Sequence, residues 1–376
     1  MNSRTIMHGK TLPWKQYIDV LAAFLFAGVT TLAVPFSLPA LVTAIHGSLL
    51  CTLFCLMAVI AAFRQGGMMT YGYSRFFTQS VSLRTLSVFF VYTCFFMSMG
   101  ITNDVALLIF VPLTITALQT VKKEKYRVYI ITLQTIAANL GSMLTPIGNP
   151  QNLFLYSFYQ MSLPDFLWTM GPAAIASAIL LGACVWVLPQ EPVVVPAVPP
   201  PTMPPKDRLL FLGYFLLCIA SVLRIISPWW VFILLLPVLL VRYRAVLLAV
   251  DYKLLLLFVL LFIGVGNLGN LPAMQDMPVH MLQGHEFTAA VVLSQVLSNV
   301  PTTVMLAPYS TNSQALLLGV NIGGLGTLIA SMASIISFKA YSNMPQSRSL
   351  RYIAVFTGMN VLFLLVLAGA VMLWNG

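Results

Sequence analysis

Charge is what this sequence has least of. Asp, Glu, Lys and Arg together make up 7% of its 376 residues, against about a quarter in a soluble domain. A chain so poor in charge cannot cover a water-soluble particle. Histidine is scarce too, with four in all, and neither a CxxC pair nor a Cys/His cluster is present, so no metal site is indicated. The five cysteines (51, 55, 94, 184, 218) lie inside apolar runs and read as small buried hydrophobes. A GxxxxGK[ST] loop is missing, which argues against an ATP-driven pump made by this chain alone. An intramembrane aspartyl protease needs two acids at depth, and only Asp104 qualifies. A serine protease needs a deep histidine, but His8, His280 and His285 fall in flanks or loops and His46 near a helix start. The chain does not read as an enzyme.

What is there is hydrocarbon. Hydrophobic residues reach 59% with a mean hydropathy of +0.92, the composition of an integral membrane protein. The apolar segments run at 17–35, 44–63, 86–118, 128–158, 167–188, 208–226, 229–242, 249–269, 287–318, 319–341 and 350–374. The first follows "MNSRTIMHGKTLPWKQY", which carries basic residues but no small-residue cleavage signal, so a retained first helix is expected. Segments 86–118 and 287–318 hold 33 and 32 residues, too long for one upright span and too short for two of about 20 each. They read as re-entrant hairpins, leaving about nine full spans.

The net charge of +10 raises the question of nucleic acid, and the positions of the basic residues answer it. With the N-terminus inside, every Lys and Arg except Arg224 falls on the cytoplasmic side, from Arg4, Lys10 and Lys15 to Lys339, Arg348 and Arg351. The loop at 270–286 has acids and histidines but no Lys or Arg and reads as external. The charge therefore reports orientation in a lipid bilayer, with the C-terminus outside and no nucleic-acid partner.

Between Pro189 and Pro205 the chain reads "PQEPVVVPAVPPPTMPP", a semi-rigid spacer. It separates two halves, 1–188 and 208–376, joined by a cytoplasmic linker at 189–207. "TNDVALLIFVP" (102–112) aligns with "SNVPTTVMLAP" (298–308), and "NLGSMLTPIG" (139–148) with "NIGGLGTLIA" (321–330). Each half thus offers a polar Asn-containing tip and then a helix interrupted by Gly (hairpin 86–118 and broken helix 128–158; hairpin 287–318 and broken helix 319–341). In the topology above the first hairpin enters from inside and the second from outside, which makes the repeat inverted. The fold expected is all-α, with two re-entrant hairpins and two broken transmembrane helices.

Broken helices at membrane depth leave N–H and C=O groups that need partners, so they line protein or a cavity. A helix beginning at a tip presents N–H groups to an anion. Carbonyls freed at Gly141 and Gly323 suit Na⁺. The plainer reading is that Asn103 or Asp104, and Asn299 with Pro301, cap the helices that follow. Asp104 is an ionisable residue at depth, and a proton-coupling or cation-ligand role stands beside capping for it. "TPIGNPQN" (145–152), with two prolines, marks a real break. The Gly-rich run 319–334 does not read as a nucleotide loop, which needs a preceding strand and an aqueous setting; helix packing through small residues is its other reading.

At "TNDVALLIFVPLTI", "NLGSMLTPIGNPQN", "LSQVLSNVPTT" and "VNIGGLGTLIASMAS" the chain resembles the ion transporter superfamily, within it the ArsB/NhaD-type permeases, and most of all the YbiR-like anion permeases. The resemblance implies a scaffold and a transport part that moves elevator fashion, often in a homodimer. In the dicarboxylate branch, Ser-Asn-Thr at each tip contacts substrate carboxylate and helps hold Na⁺. Here Thr102-Asn103-Asp104 and Ser298-Asn299-Val300 stand there, and the third position departs from that pattern twice. The Thr-Asn-Asp form looks more like the arsenite-efflux branch.

The expectation is a secondary transporter of the cell inner membrane for a small anion, coupled to Na⁺ or H⁺. A cation/proton antiporter or arsenite efflux permease on the same scaffold is the alternative. Asn103 and Asn299 are the first candidates for substrate and ion contact, with Thr102, Asp104 and Ser298. Gly141, Gly148, Asn149, Gly323 and Gly326 supply backbone approach and ligands, and Thr145 and Thr327 side-chain oxygens. Na⁺ is expected near Asn103, Gly141, Asn299 and Gly323, and no other cofactor.

Overall fold

The computed structural model describes residues 18–34, 45–67, 81–193, 202–269, 280, 282–344 and 347–375. Arg4, Lys10, Lys15, Arg75, the middle of the Pro-rich linker and most of the 270–286 loop lie outside them.

Sixteen α-helices are found among the described residues: α1 (Ile18–Ala33), α2 (Gly47–Gln65), α3 (Leu83–Ile101), α4 (Asn103–Thr120), α5 (Arg127–Ser142), α6 (Pro150–Phe158), α7 (Leu163–Trp186) and α8 (Pro205–Val222) are followed by α9 (Pro228–Val241), α10 (Arg244–Leu248), α11 (Tyr252–Gly269), α12 (Glu286–Leu297), α13 (Asn299–Leu306), α14 (Ser313–Ile322), α15 (Met332–Ser342) and α16 (Ser349–Asn375). The all-α expectation is met but for one antiparallel pair, β1 (Val81–Ser82) with β2 (Pro192–Val193).

Local signals set the helix starts. Ser82, Asn149, Ser162 and Asn312 each accept a hydrogen bond from a backbone N–H three residues on, opening α3, α6, α7 and α14. Pro150 and Pro164 sit in first turns, where a missing N–H costs nothing.

Five helices, α2, α3, α4, α7 and α16, are long and apolar enough to cross a bilayer. The distribution of side chains fits that solvent. Trp168, Ile175, Ile179, Val187, Leu365 and Leu373 face outward, whereas Thr132, Gln134, Thr135, Asn139, Asn152, Ser294, Thr302, Thr303 and Asn321 are buried. A water-soluble fold sorts these residue types the other way. This is a multi-pass membrane protein.

Two helix groups pack around this polar interior. In one, α1 lies on α11, and α2 lies on α8, α9 and α11. In the other, α5 is enclosed by α3, α4, α7, α15 and α16, while α12 packs on α13 and α14. The groups meet where α13 leans on α11 and where α4 and α6 touch α2.

Both expected hairpins fold back, with shifted limits. Gln134 Nε2 reaches Cys94 Sγ on one limb of the first hairpin and Phe110 O on the other, each at 3.5 Å. Both ends of this hairpin meet at Glu191, which binds Lys123 through its carboxylate and Leu83 N–H through its carbonyl. Its limbs hold 19 and 18 residues, about 28 and 27 Å of helix, so chain length alone does not make it re-entrant. The second hairpin is closed at its base by Thr311 Oγ1 donating to Glu286 (3.2 Å). It ends at Tyr309 instead of 318, because the Asn312 cap starts α14. Its limbs of 12 and 8 residues span only about 18 and 12 Å.

Candidate functional site

Each hairpin turns on a single residue. Thr102 has φ 72° and ψ 152°, and Ser298, its aligned partner, has φ 74° and ψ 154°. This region of backbone space is essentially reserved for glycine and costs about 1–3 kcal/mol for other residues. Both turns place an Asn at the first helical position of the returning limb. Asn103 N–H donates to Gly148 O (3.1 Å), and Asn299 N–H donates to Ala330 O (2.9 Å), residues that the sequence alignment pairs. A second matched bond ties each broken helix to its hairpin: Thr145 Oγ1 donates to Met99 O, and Thr327 Oγ1 donates to Gln295 O.

Glycine permits the closest of these contacts. A Cβ on Gly141 would strike the Phe95 carbonyl and lie 2.7 Å from Ser98 Oγ, and one on Gly323 would lie 2.9 Å from Val291 Cα and 3.1 Å from Ser294 Cβ, again at aligned positions. Helices α3 and α5, and α12 and α14, therefore approach backbone to backbone just below each tip.

The two halves exchange side-chain hydrogen bonds across the middle of the protein. Asn103 Nδ2 donates to Asn139 Oδ1 (3.0 Å), which also accepts from Ser331 Oγ (3.1 Å), next to Ala330. In return Asn149 Nδ2 donates to Asn321 Oδ1 (3.1 Å), and Asn321 Nδ2 donates to Asn152 Oδ1 (2.7 Å). Residues 149 and 331 are aligned, as are 139 and 321, so each half lends a donor to the other half's asparagine.

Several buried groups at this centre have no partner. Asn139 Nδ2, Ser294 Oγ, Thr302 Oγ1 and Ser334 Oγ make no hydrogen bond. Each such group costs about 1–3 kcal/mol when left unpaired, and a bound water or ion is one way a native protein offsets that cost.

The sequence-predicted residues are thus brought together, with three corrections. Neither Asn caps its helix in the usual way: the N-caps Thr102 and Ser298 make no side-chain cap bond, and Asn103 Oδ1 accepts only from the adjacent Asp104 N–H (2.9 Å). The tip N–H groups of Asn103 and Asn299 are spent on Gly148 and Ala330, so the helix starts offer an anion less than expected. The carbonyls of Gly141 and Gly323 are taken as well, by Leu144 N–H (3.1 Å) and Gln295 Nε2 (2.8 Å). Gly326, at φ 101°, turns the second break around Gln295. Asp104 stands half-buried in the first turn of α4.

Sequence reasoning missed Asn152, Gln295 and Ser331 and left Asn139 and Asn321 as alignment markers. The last two had a legible signal, since the same Asn-x-Gly recurs before each break. Arg224, the basic residue that the charge reading assigns to the outer side, is held by the end of α6. It donates to Tyr156 O (2.8 Å) and Gln160 O (3.3 Å) past the end of α6 and lies over the Tyr156 ring. Among the described residues no group of three His, Cys, Asp or Glu could hold a metal ion.

Residues 17–319 match the citrate transporter family. The chain belongs to that family. It is 34% identical over 261 residues to the inner membrane protein YbiR of Escherichia coli K12, covering 68% of this chain and 69% of that one. It is 31% identical over 295 residues to the uncharacterized transporter MJ0456 of Methanocaldococcus jannaschii, covering 77% of this chain and 79% of that one. As a member of the family the protein is a membrane permease.

Proposed function

We propose that this protein is a secondary active transporter that carries a small anion across the inner membrane, coupled to H⁺ or Na⁺, with substrate held between the two hairpin tips. The observation that carries the reading is the network joining Asn103, Asn139, Ser331 and, through Ala330, Asn299, beside amide and hydroxyl groups with nothing to bind. Donors of this kind suit an oxyanion, and buried donors bind poorly to a ligand that cannot use them.

The architecture of the proposal is an inverted repeat of 1–188 and 208–376 joined by a cytoplasmic linker, with about nine full spans, the N-terminus inside and the C-terminus outside. The matched tip dihedrals and matched hydrogen bonds support the repeat. The short limbs of the second hairpin support its re-entrance, since they reach about half of a 30 Å hydrocarbon layer. Helices α3–α6 and α12–α15 form the moving unit of an elevator, and α1, α2 and α8–α11 belong to the scaffold, in an assembly of two copies.

Thermal unfolding of the detergent-purified protein against citrate, succinate, sulfate, phosphate, arsenite and chloride tests this. A ligand at about 100 times its Kd adds roughly 2.7 kcal/mol to the native state. Stabilisation of wild type by one anion, lost in Asn103→Ala and Asn299→Ala, is the expected result. No response to any anion overturns it.

Asp104 keeps a second reading in view, since it is an acid one residue past a tip whose counterpart, Val300, is apolar. A cation/proton antiporter or arsenite efflux permease uses such an acid. Stabilisation that follows arsenite or pH alone, and vanishes in Asp104→Asn, would select it.

A further inference from the structure

Two carboxamides occupy the places where broken-helix carbonyls lead one to expect a cation. At the first break Asn152 Nδ2 faces Ser142 O (3.3 Å), Met143 O (3.1 Å) and Thr145 O (3.1 Å). At the second, Gln295 Nε2 faces Gly323 O (2.8 Å) and Leu325 O (2.9 Å), and also Val291 O (3.2 Å) of its own helix. The far ends fix the orientation of both amides, because Asn152 Oδ1 accepts from Asn321 Nδ2 (2.7 Å) and Gln295 Oε1 accepts from Thr327 N–H (3.0 Å). Turning either amide over would set oxygen against oxygen.

Na⁺ at a broken helix is held by carbonyl oxygens. An –NH₂ group brings its positively polarised hydrogens to the same lone pairs and fills the space between them, so it satisfies the freed carbonyls without a metal ion. The two plugs do not descend from one repeat position. The residue aligned with Asn152 is Ser334, and the one aligned with Gln295 is Met99. Each half closes its carbonyl set with an amide the other half lacks, one from the far side of the break and one from the hairpin.

We propose that Asn152 and Gln295 are built-in substitutes for coupling cations, and that the anion site therefore works without Na⁺. The proposal deepens the transporter reading and rests on it. It leaves the proton, or a counter-transported anion, as what drives the cycle.

The test is thermal unfolding of detergent-purified wild type, Gln295→Met and Asn152→Ser in NaCl, KCl and choline chloride, with and without citrate or sulfate, alongside binding of radiolabelled Na⁺. The substitutions install the residue that the other half carries. Wild type should show the same midpoint in all three salts and retain no Na⁺. Each variant should fall in choline, recover in NaCl but not in KCl, and retain Na⁺. A Na⁺-specific rise in the wild-type midpoint, alone or with anion present, overturns the proposal whether or not the variants fold. So do variants that fold yet retain no Na⁺. Failure of every anion to shift wild type would instead remove the anion reading, while the salt series still reports on the two carbonyl sets.

Discussion

Thr102→Gly and Ser298→Gly should each make the protein more stable and less useful. Both residues hold positive φ with ψ near 150°, at a cost of about 1–3 kcal/mol each. Glycine removes that cost but loses about 0.5–1 kcal/mol of backbone entropy on folding, leaving a net gain of roughly 1 kcal/mol per site. For a chain of this size that is a midpoint rise of about 1–2 °C. Alanine is the control, since it keeps the Cβ and the strain but loses the hydroxyl, and the Ser298 hydroxyl makes only a long contact of 3.4 Å with Ala330 O. The order Gly above wild type, with Ala at or below wild type, is expected at both tips in detergent-based thermal unfolding. The gains should add in the double variant, provided that the two tips do not couple through the Asn network. Anion-dependent stabilisation should weaken in the glycine variants, because a relaxed turn no longer holds Asn103 or Asn299 in one place. A glycine variant less stable than its alanine control at both positions refutes the strain argument.

Gly141→Ala drives a methyl group into the Phe95 carbonyl and should cost about 1–3 kcal/mol by overpacking, read as a lower unfolding midpoint; Gly171→Ala, whose added Cβ meets nothing within 4 Å, should be near neutral. Glu191 is hydrogen-bonded by Lys123, which holds its carboxyl below the usual range. The stability it adds is therefore present above the unfolded pKa and lost as pH falls through the lowered folded value. Glu191→Gln should remove a little stability at neutral pH and none in strong acid, and the effect should be small because the pair is partly exposed. Lys123→Cys and Thr311→Cys place a thiol at the base of each hairpin, and an impermeant maleimide applied to cells should reach position 311 from outside and position 123 only after permeabilisation. Labelling of both from one side would refute the inverted arrangement.

The sequence disclosed much of this fold because its signals are local. An apolar run, an Asn-bearing tip and a Gly break are each contiguous in the chain, and the helices fall near the predicted segments. The errors are local too. By sequence the segment 287–318 reads as one hairpin because Ser310, Thr311 and Asn312 are a short polar interruption, yet the Asn312 side chain capping Ala315 N–H is enough to start a new helix there. The first hairpin outgrew its predicted 33 residues because the Ser82 cap starts α3 three residues before the apolar run.

The site was legible as a set of residue types and illegible as a set of partners. Asn103 and Asn299 stood out because a carboxamide at membrane depth demands an explanation. The cross-links between the halves were not legible, since Asn149 to Asn321, or Ser331 to Asn139, pairs residues far apart in the chain. Asn152 and Gln295 escaped notice for a related reason, since they lack counterparts in the other half and a search for matched positions passes over them. The symmetry that made the tips readable thus concealed the residues that decide what the freed carbonyls bind. If Gln295→Met and Asn152→Ser admit Na⁺, two unmatched side chains, more than the shared scaffold, set the choice of coupling ion.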